Sequence, residues 1–144
     1  MDIGQTIDEA HTSILEASAA IQALTSRPGG PQSLPFRDIG TAVLPVIARF
    51  KLAIAEIGGT GDNREVVARF AVFAEGNGAQ ATARALIEQI ELAITQPAYA
   101  ARNVDACVLP GGRVRDEPEE DPGGERALAR SDITLRIWAT KPLP

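Results

Sequence analysis

Three kinds of residue are scarce in this chain, and each scarcity removes a class of function. There is one cysteine, Cys107, so no internal disulfide can form and no thiolate-rich zinc site can be assembled. There is one histidine, His11, without a second histidine or a cysteine near it in sequence; a metal site there is improbable, and acid–base work would need a positioned partner that the sequence does not name. Aromatic residues make up only 4%, while alanine fills many helical positions, which predicts close helix contacts around a modest core. No apolar run reaches membrane-spanning length, and the N-terminus lacks the basic-then-apolar pattern of a signal peptide. Excess positive charge is missing too. A net charge of −5 argues against a dedicated nucleic-acid binder.

What is present is enough for one domain over residues 1–144, with 44% hydrophobic and 23% charged residues. Its organising stretch is 64–95. Residues 65–74 are rich in β-branched and aromatic side chains and read as a half-buried strand, with Val66, Ala68, Phe70 and Val72 on one face and Arg69 on the other. Gly76-Asn77-Gly78 breaks the strand, and Asn77 with Gln80 has the spacing of a capping box. Ala83, Leu86, Ile87, Ile90 and Ile94 then form one stripe of a helix, stopped at Pro97.

Ahead of this layer, Thr6 and Glu9 suggest a capped helix whose seam is Ile7, Ala10, Ile14, Ala17, Ile21 and Leu24. Residues 27–45 are punctuated by proline and glycine and read as a connector pinned by Phe36, Ile39, Val43 and Leu44. Residues 46–57 read as a strand with Ala48, Phe50, Leu52 and Ile54 on one face and Arg49 and Lys51 on the other. The glycine-rich turn 58–63 lacks the lysine and the strand-to-helix setting of a P-loop, and returns the chain antiparallel. Residues 104–109 form a short strand, interrupted at Pro110-Gly111-Gly112 where a bulge or corner is expected. Residues 116–125 form an acidic loop, expected to be extended and mobile in the isolated chain, whose spacing is not that of a calcium-binding EF-hand. The last strand, 127–139, alternates: Ile133, Leu135 and Ile137 face one way, Arg130, Asp132, Thr134 and Arg136 the other, with Trp138 on the polar side.

The expected fold is α+β: a single, largely antiparallel four-stranded sheet with two helices on one face, in the order α-β-β-α-β-β. Its other face would display Arg49, Lys51, Arg69, Arg130 and Arg136 beside the acidic residues Asp116, Glu117, Glu119, Glu120, Asp121 and Glu125. Cation face and anion loop would then join like copies, with Trp138 as a contact residue. No catalytic or metal-binding set emerges, and no cofactor is called for.

Leu44-Pro45-Val-Ile-Ala48, Ala68-Arg-Phe-Ala-Val-Phe73, Arg113-Val-Arg-Asp-Glu117 and Ser131-Asp-Ile-Thr-Leu135, in this order around the central helix, resemble the tail terminator proteins of lambda-like long-tailed phages over residues 44–140. The chain departs from them in its long connector and its proline-rich acidic loop. The resemblance implies a structural protein without enzyme activity. It would form a homo-hexameric ring on the last ring of the tail-tube protein, end tail growth and present the surface that joins a head–tail connector or neck protein. DNA would meet it only in passing through the lumen, no membrane would be involved, and the protein would reside in the virion after assembly in the bacterial cytoplasm. The acidic loop would either dock on the tube or line the bore, and docking is the favoured reading. Alternatives are a neck or connector ring of a phage or gene transfer agent, and a small ligand-binding regulatory domain with an anion site at the Gly76–Gly78 helix start.

Overall fold

The structure, a computed structural model, describes residues 2–26, 31–56, 62–116, 119–120 and 128–140. Helix α1 (Ile3–Ala17) opens at Asp2, whose side chain accepts from the Gln5 N–H; the cap therefore lies four residues before the expected Thr6. The seam anticipated as one helix is two. Ser18 is extended, ending α1 and capping α2 (Ala19–Thr25) by accepting from the Ile21 N–H. Ala17, placed on the seam by spacing, is exposed at this break.

The expected connector carries structure of its own. Strand β1 (Ser33–Pro35) pairs in parallel with β2 (Val46–Arg49), and a 3-10 turn spans Phe36–Thr41. Val43, expected to pin the connector, is 76% exposed. The strand read over residues 46–57 is split into β2 and β3 (Ala53–Glu56), both antiparallel to β4 (Asn63–Glu75). Helices α3 (Ala79–Ala93) and α4 (Gln96–Ala100) follow, then β5 (Ala106–Arg115), β6 (Glu119–Glu120) and β7 (Leu128–Thr140). The fold is thus mixed α+β with more strands and helices than the four and two expected. Its sheet runs β1-β2-β4-β7-β5, with β3 completing the β2 position and β6 pairing with β7.

Helix α3 starts at Gly78 in the left-handed region, without a side-chain cap, so Asn77 does not play the capping role its spacing suggested. Pro97 does interrupt the helical path. Thr95 accepts from the Ala98 N–H, and the proline sits in the first turn of α4, where its missing N–H costs nothing.

The core lies on one face of the sheet. Val66, Ala68, Phe70 and Val72 of β4 and Ile133, Leu135 and Ile137 of β7 meet Ile7, Ile14 and Ile21 from α1 and α2, and Leu86, Ile87 and Ile90 from α3. Burying each large aliphatic side chain contributes about 1.5–3 kcal/mol, which is why two-periodic strands and 3.6-periodic helices agree on this face. At the corner in β5 the register against β7 shifts between Val108 and Arg113. Gly111 is left-handed there, and a Cβ on Gly112 would stand 2.8 Å from the Leu109 carbonyl oxygen and 2.9 Å from that of Arg136. Only glycine fits such a bulge.

Candidate subunit interface

The face of the sheet opposite the core centres on Asp132. Strand alternation puts Arg69, Arg130, Asp132, Arg136 and Trp138 on this side, since Ala71 stands opposite Asp132, Phe73 opposite Arg130 and Glu65 opposite Trp138. Asp132 is nearly buried. It accepts from Arg69 through Nε (3.0 Å) and Nη2, and from Arg130 through Nε (2.9 Å) and Nη2 (3.1 Å). Burial alone would raise its pKa, but the hydrogen bonds and charge of Arg130 and Arg69 outweigh that and hold it below the ordinary carboxylate range. Further along the face Arg136 donates to Glu65 at 2.7 Å, which lowers the pKa of that carboxyl.

Aromatic rings complete the layer. Phe36 from the 3-10 turn stacks on Phe50, with centroids 4.4 Å apart. The Arg69 guanidinium lies 4.3 Å over Phe50, and that of Arg130 lies 5.2 Å over Phe73 and 5.9 Å over Phe36. The layer stays open: Phe36 is 40% exposed, and both arginines are about as accessible.

Two expected members of the cation face are elsewhere. Between Arg49, opposite Phe70, and Ala53, opposite Val67, three residues of this strand face two of β4. That extra residue is a bulge, and it reverses the alternation read from sequence. Arg49 therefore points to the helix side, where it donates to Asp8 of α1 at 2.8 Å and to Ser33 Oγ at 2.9 Å; it is a clamp between α1 and the sheet edge. Ala48 and Phe50, expected on the apolar face, turn the other way. Lys51 is exposed within the bulge and lines a cleft of about 640 Å³ between the start of α1, Phe36–Arg37 and residues 50–54.

Of the acidic residues, Asp116 is exposed and its backbone is fixed to β7: its N–H donates to the Asp132 carbonyl, and its own carbonyl accepts from Ser131 Oγ. Glu119 and Glu120 form β6, paired with Arg130 and Ala129. Glu117, Asp121 and Glu125 lie outside the described residues.

His11 is buried, with Nε2 2.7 Å from Tyr99 Oη and its ring edge-on to Phe70. Burial lowers its pKa to about 4, with Asp8 opposing and Arg49 reinforcing the shift; burial likewise pushes the Tyr99 phenol up. Both are neutral near pH 7 and tie α1 to α4. Among the described residues no cluster of three or more His, Cys, Asp or Glu could hold a metal ion, and no helix is long and apolar enough to cross a membrane.

The neutralising partners were missed in the sequence, to different degrees. Asp132 was placed beside its arginines by strand alternation, so its pairing was readable, whereas Glu65 and Asp8 meet their arginines only through strand register and helix docking. No protein-family model matches the chain, and no curated protein sequence matches it significantly.

Proposed function

We propose that this chain is a structural subunit that closes the end of a phage-type tail tube as a homo-oligomeric ring, a hexamer by resemblance, and offers the surface to which a head or neck component attaches. The observation that carries the reading is the helix-free face of the sheet, where Arg69 and Arg130 are held over Phe36, Phe50 and Phe73 by Asp132. Arginine and aromatic residues, rigidly placed and half exposed, are the composition of protein-binding hot spots. The working unit of the fold is then the four-stranded antiparallel set β2/β3, β4, β7 and β5 with α1 and α3 on one face, while β1, β6 and the short helices complete its margins. On this reading the chain turns over no substrate, binds its own copies and tail-tube protein, and resides in the particle after assembly in the bacterial cytoplasm.

Sedimentation velocity and native mass spectrometry of the purified chain, with electron microscopy of the chain added to the polymerised tail tube of its own particle, test the proposal. A single closed oligomer seated on tube ends is expected. A chain that remains monomeric at high concentration and ignores the tube overturns it, and affinity for a head adaptor alone assigns it to the neck.

A further inference from the structure

The sheet ends in two edges. At one, β3 pairs with β4, and its outer side has no strand partner among the described residues because β1 stops at Pro35 beside β2. Ala53, Ile54, Ala55 and Glu56 are all exposed. Sheet edges are usually blunted by proline, bulges or inward-pointing charge; Ala53–Glu56 has no proline, keeps its register against β4 and carries one charge. The unpaired N–H and C=O groups of such an edge are a template for another strand.

At the other edge β5 pairs only with β7. Beyond its bulge, Arg113, Val114 and Arg115 resume the pairing and are exposed, Val114 at 55%.

Three features match these edges to each other. The first is direction. Strands β3, β4, β7 and β5 alternate, so β5 runs opposite to β3, and a second copy in the same orientation continues the sheet antiparallel with its β5 beside this β3. The second is facing. Ala53 and Ala55, opposite Val67 and Glu65, lie on the helix-free face, as does Val114, opposite Thr134. Ile54 and Glu56 lie on the helix side, as do Arg113 and Arg115, opposite Leu135 and Ile133. With Ala55 set opposite Val114, exposed apolar side chains meet and Glu56 falls opposite Arg113.

The third is charge. Arg113 makes no ion pair with a described residue, and Glu91, on which its charge acts, is held by Arg115. Glu56 reaches Arg64 at 3.4 Å with its side chain still 63% exposed. Pairing like edges serves these charges worse. A two-fold pairing of β5 about Val114 sets Arg113 opposite Arg115 twice, and one of β3 about Ile54 or Ala55 gives Glu56 only an aliphatic side chain to face.

We infer that residues 113–115 in β5 of one copy add as a strand to β3 of the next, in the register that sets Val114 on Ala55 and Arg113 on Glu56. This rests on the ring reading and names the head-to-tail seam that would build the ring.

The test is a cross-link in the full chain. Directly opposed residues of an antiparallel pair stand about 4.5–5.5 Å apart at Cα, within disulfide range. Three chains carry Cys107→Ser together with Ala55→Cys, with Val114→Cys or with both, and the melting curve of each verifies its fold. Under diamide only the chain with both cysteines should give a ladder of covalent oligomers. Dimers from either single-cysteine chain mean that like edges pair, which overturns the inference. So does the absence of a ladder when sedimentation shows that the chain still self-associates, and that result leaves the ring standing. A wild-type chain that never self-associates removes the ring reading and this seam together. If the cysteine chains fail to fold, the seam is read by charge: Glu56→Arg should self-associate about tenfold more weakly, and adding Arg113→Glu should restore wild-type association. Undiminished association by Glu56→Arg, or loss without restoration, overturns the inference.

Discussion

On the helix side of the β4–β7 pair, Val66, Phe70, Ile133 and Leu135 are closed over by aliphatic residues of α1 and α3. On the opposite side the same two strands present Arg69, Asp132, Arg130, Glu65 and Arg136, tied by directed hydrogen bonds and left half open to water. The first face is held by non-directional burial that scales with area. The second is held by geometry, and its net contribution is smaller because each ion surrenders hydration to make its contacts. The comparison teaches how the two faces divide: one is closed over by the helices through burial, the other is ordered by ion pairs and left accessible.

Four experiments break or sharpen that contrast. Leu86→Ala removes a fully buried α3 side chain from the core and should cost about 2–5 kcal/mol in urea unfolding. A cost below about 1 kcal/mol would mean that the helix layer is not what holds the sheet.

His11 probes the same layer by pH. The unfolded chain takes up a proton on this histidine near pH 6.5, while the folded chain resists until about pH 4. Its contribution is therefore fully present above pH 6.5 and lost as the pH falls to about 4, a loss of roughly 3 kcal/mol by linkage. Unfolding free energies of wild type and His11→Phe, compared across that range, should diverge in slope; parallel curves would show the ring to be solvated.

Asp132→Asn on the open face should cost less, about 1–2 kcal/mol, since the arginines it leaves behind can still reach water. With its folded pKa below the unfolded one, the carboxylate contributes above the unfolded value and loses that contribution as the pH falls through the folded value. Denaturant titrations of wild type and variant should therefore converge in strong acid.

Glu65→Gln comes last. The Glu65–Arg136 pair sits at the solvent-exposed margin of the face, and its loss should leave the thermal midpoint unchanged in calorimetry. A clear drop would show that the pair is part of a larger network.

Much of the core face was legible because burial imposes periodicity. The alternation of 66–72 and of 133–137 and the stripe from Ala83 to Ile90 each required one face to be apolar, and the structure has them so. The candidate site was legible only in part. Arg69, Arg130, Arg136 and Trp138 fell on the expected side, while Arg49 and Phe50 exchanged sides because one extra residue in the edge strand is invisible to a period-two reading. The helix break at Ser18 escaped notice for a related reason: a serine within an apolar seam reads equally as a tolerated surface residue or as a cap.

By itself the sequence determined which residues must leave water, and with that the α+β class and the side on which each long strand is apolar, because hydrophobic burial depends on local spacing. Tertiary structure decided the ion pairs between residues far apart in sequence. Arg136 meets Glu65 across 71 positions and Arg49 meets Asp8 across 41, and such pairings follow from register, bulges and docking that no local pattern encodes.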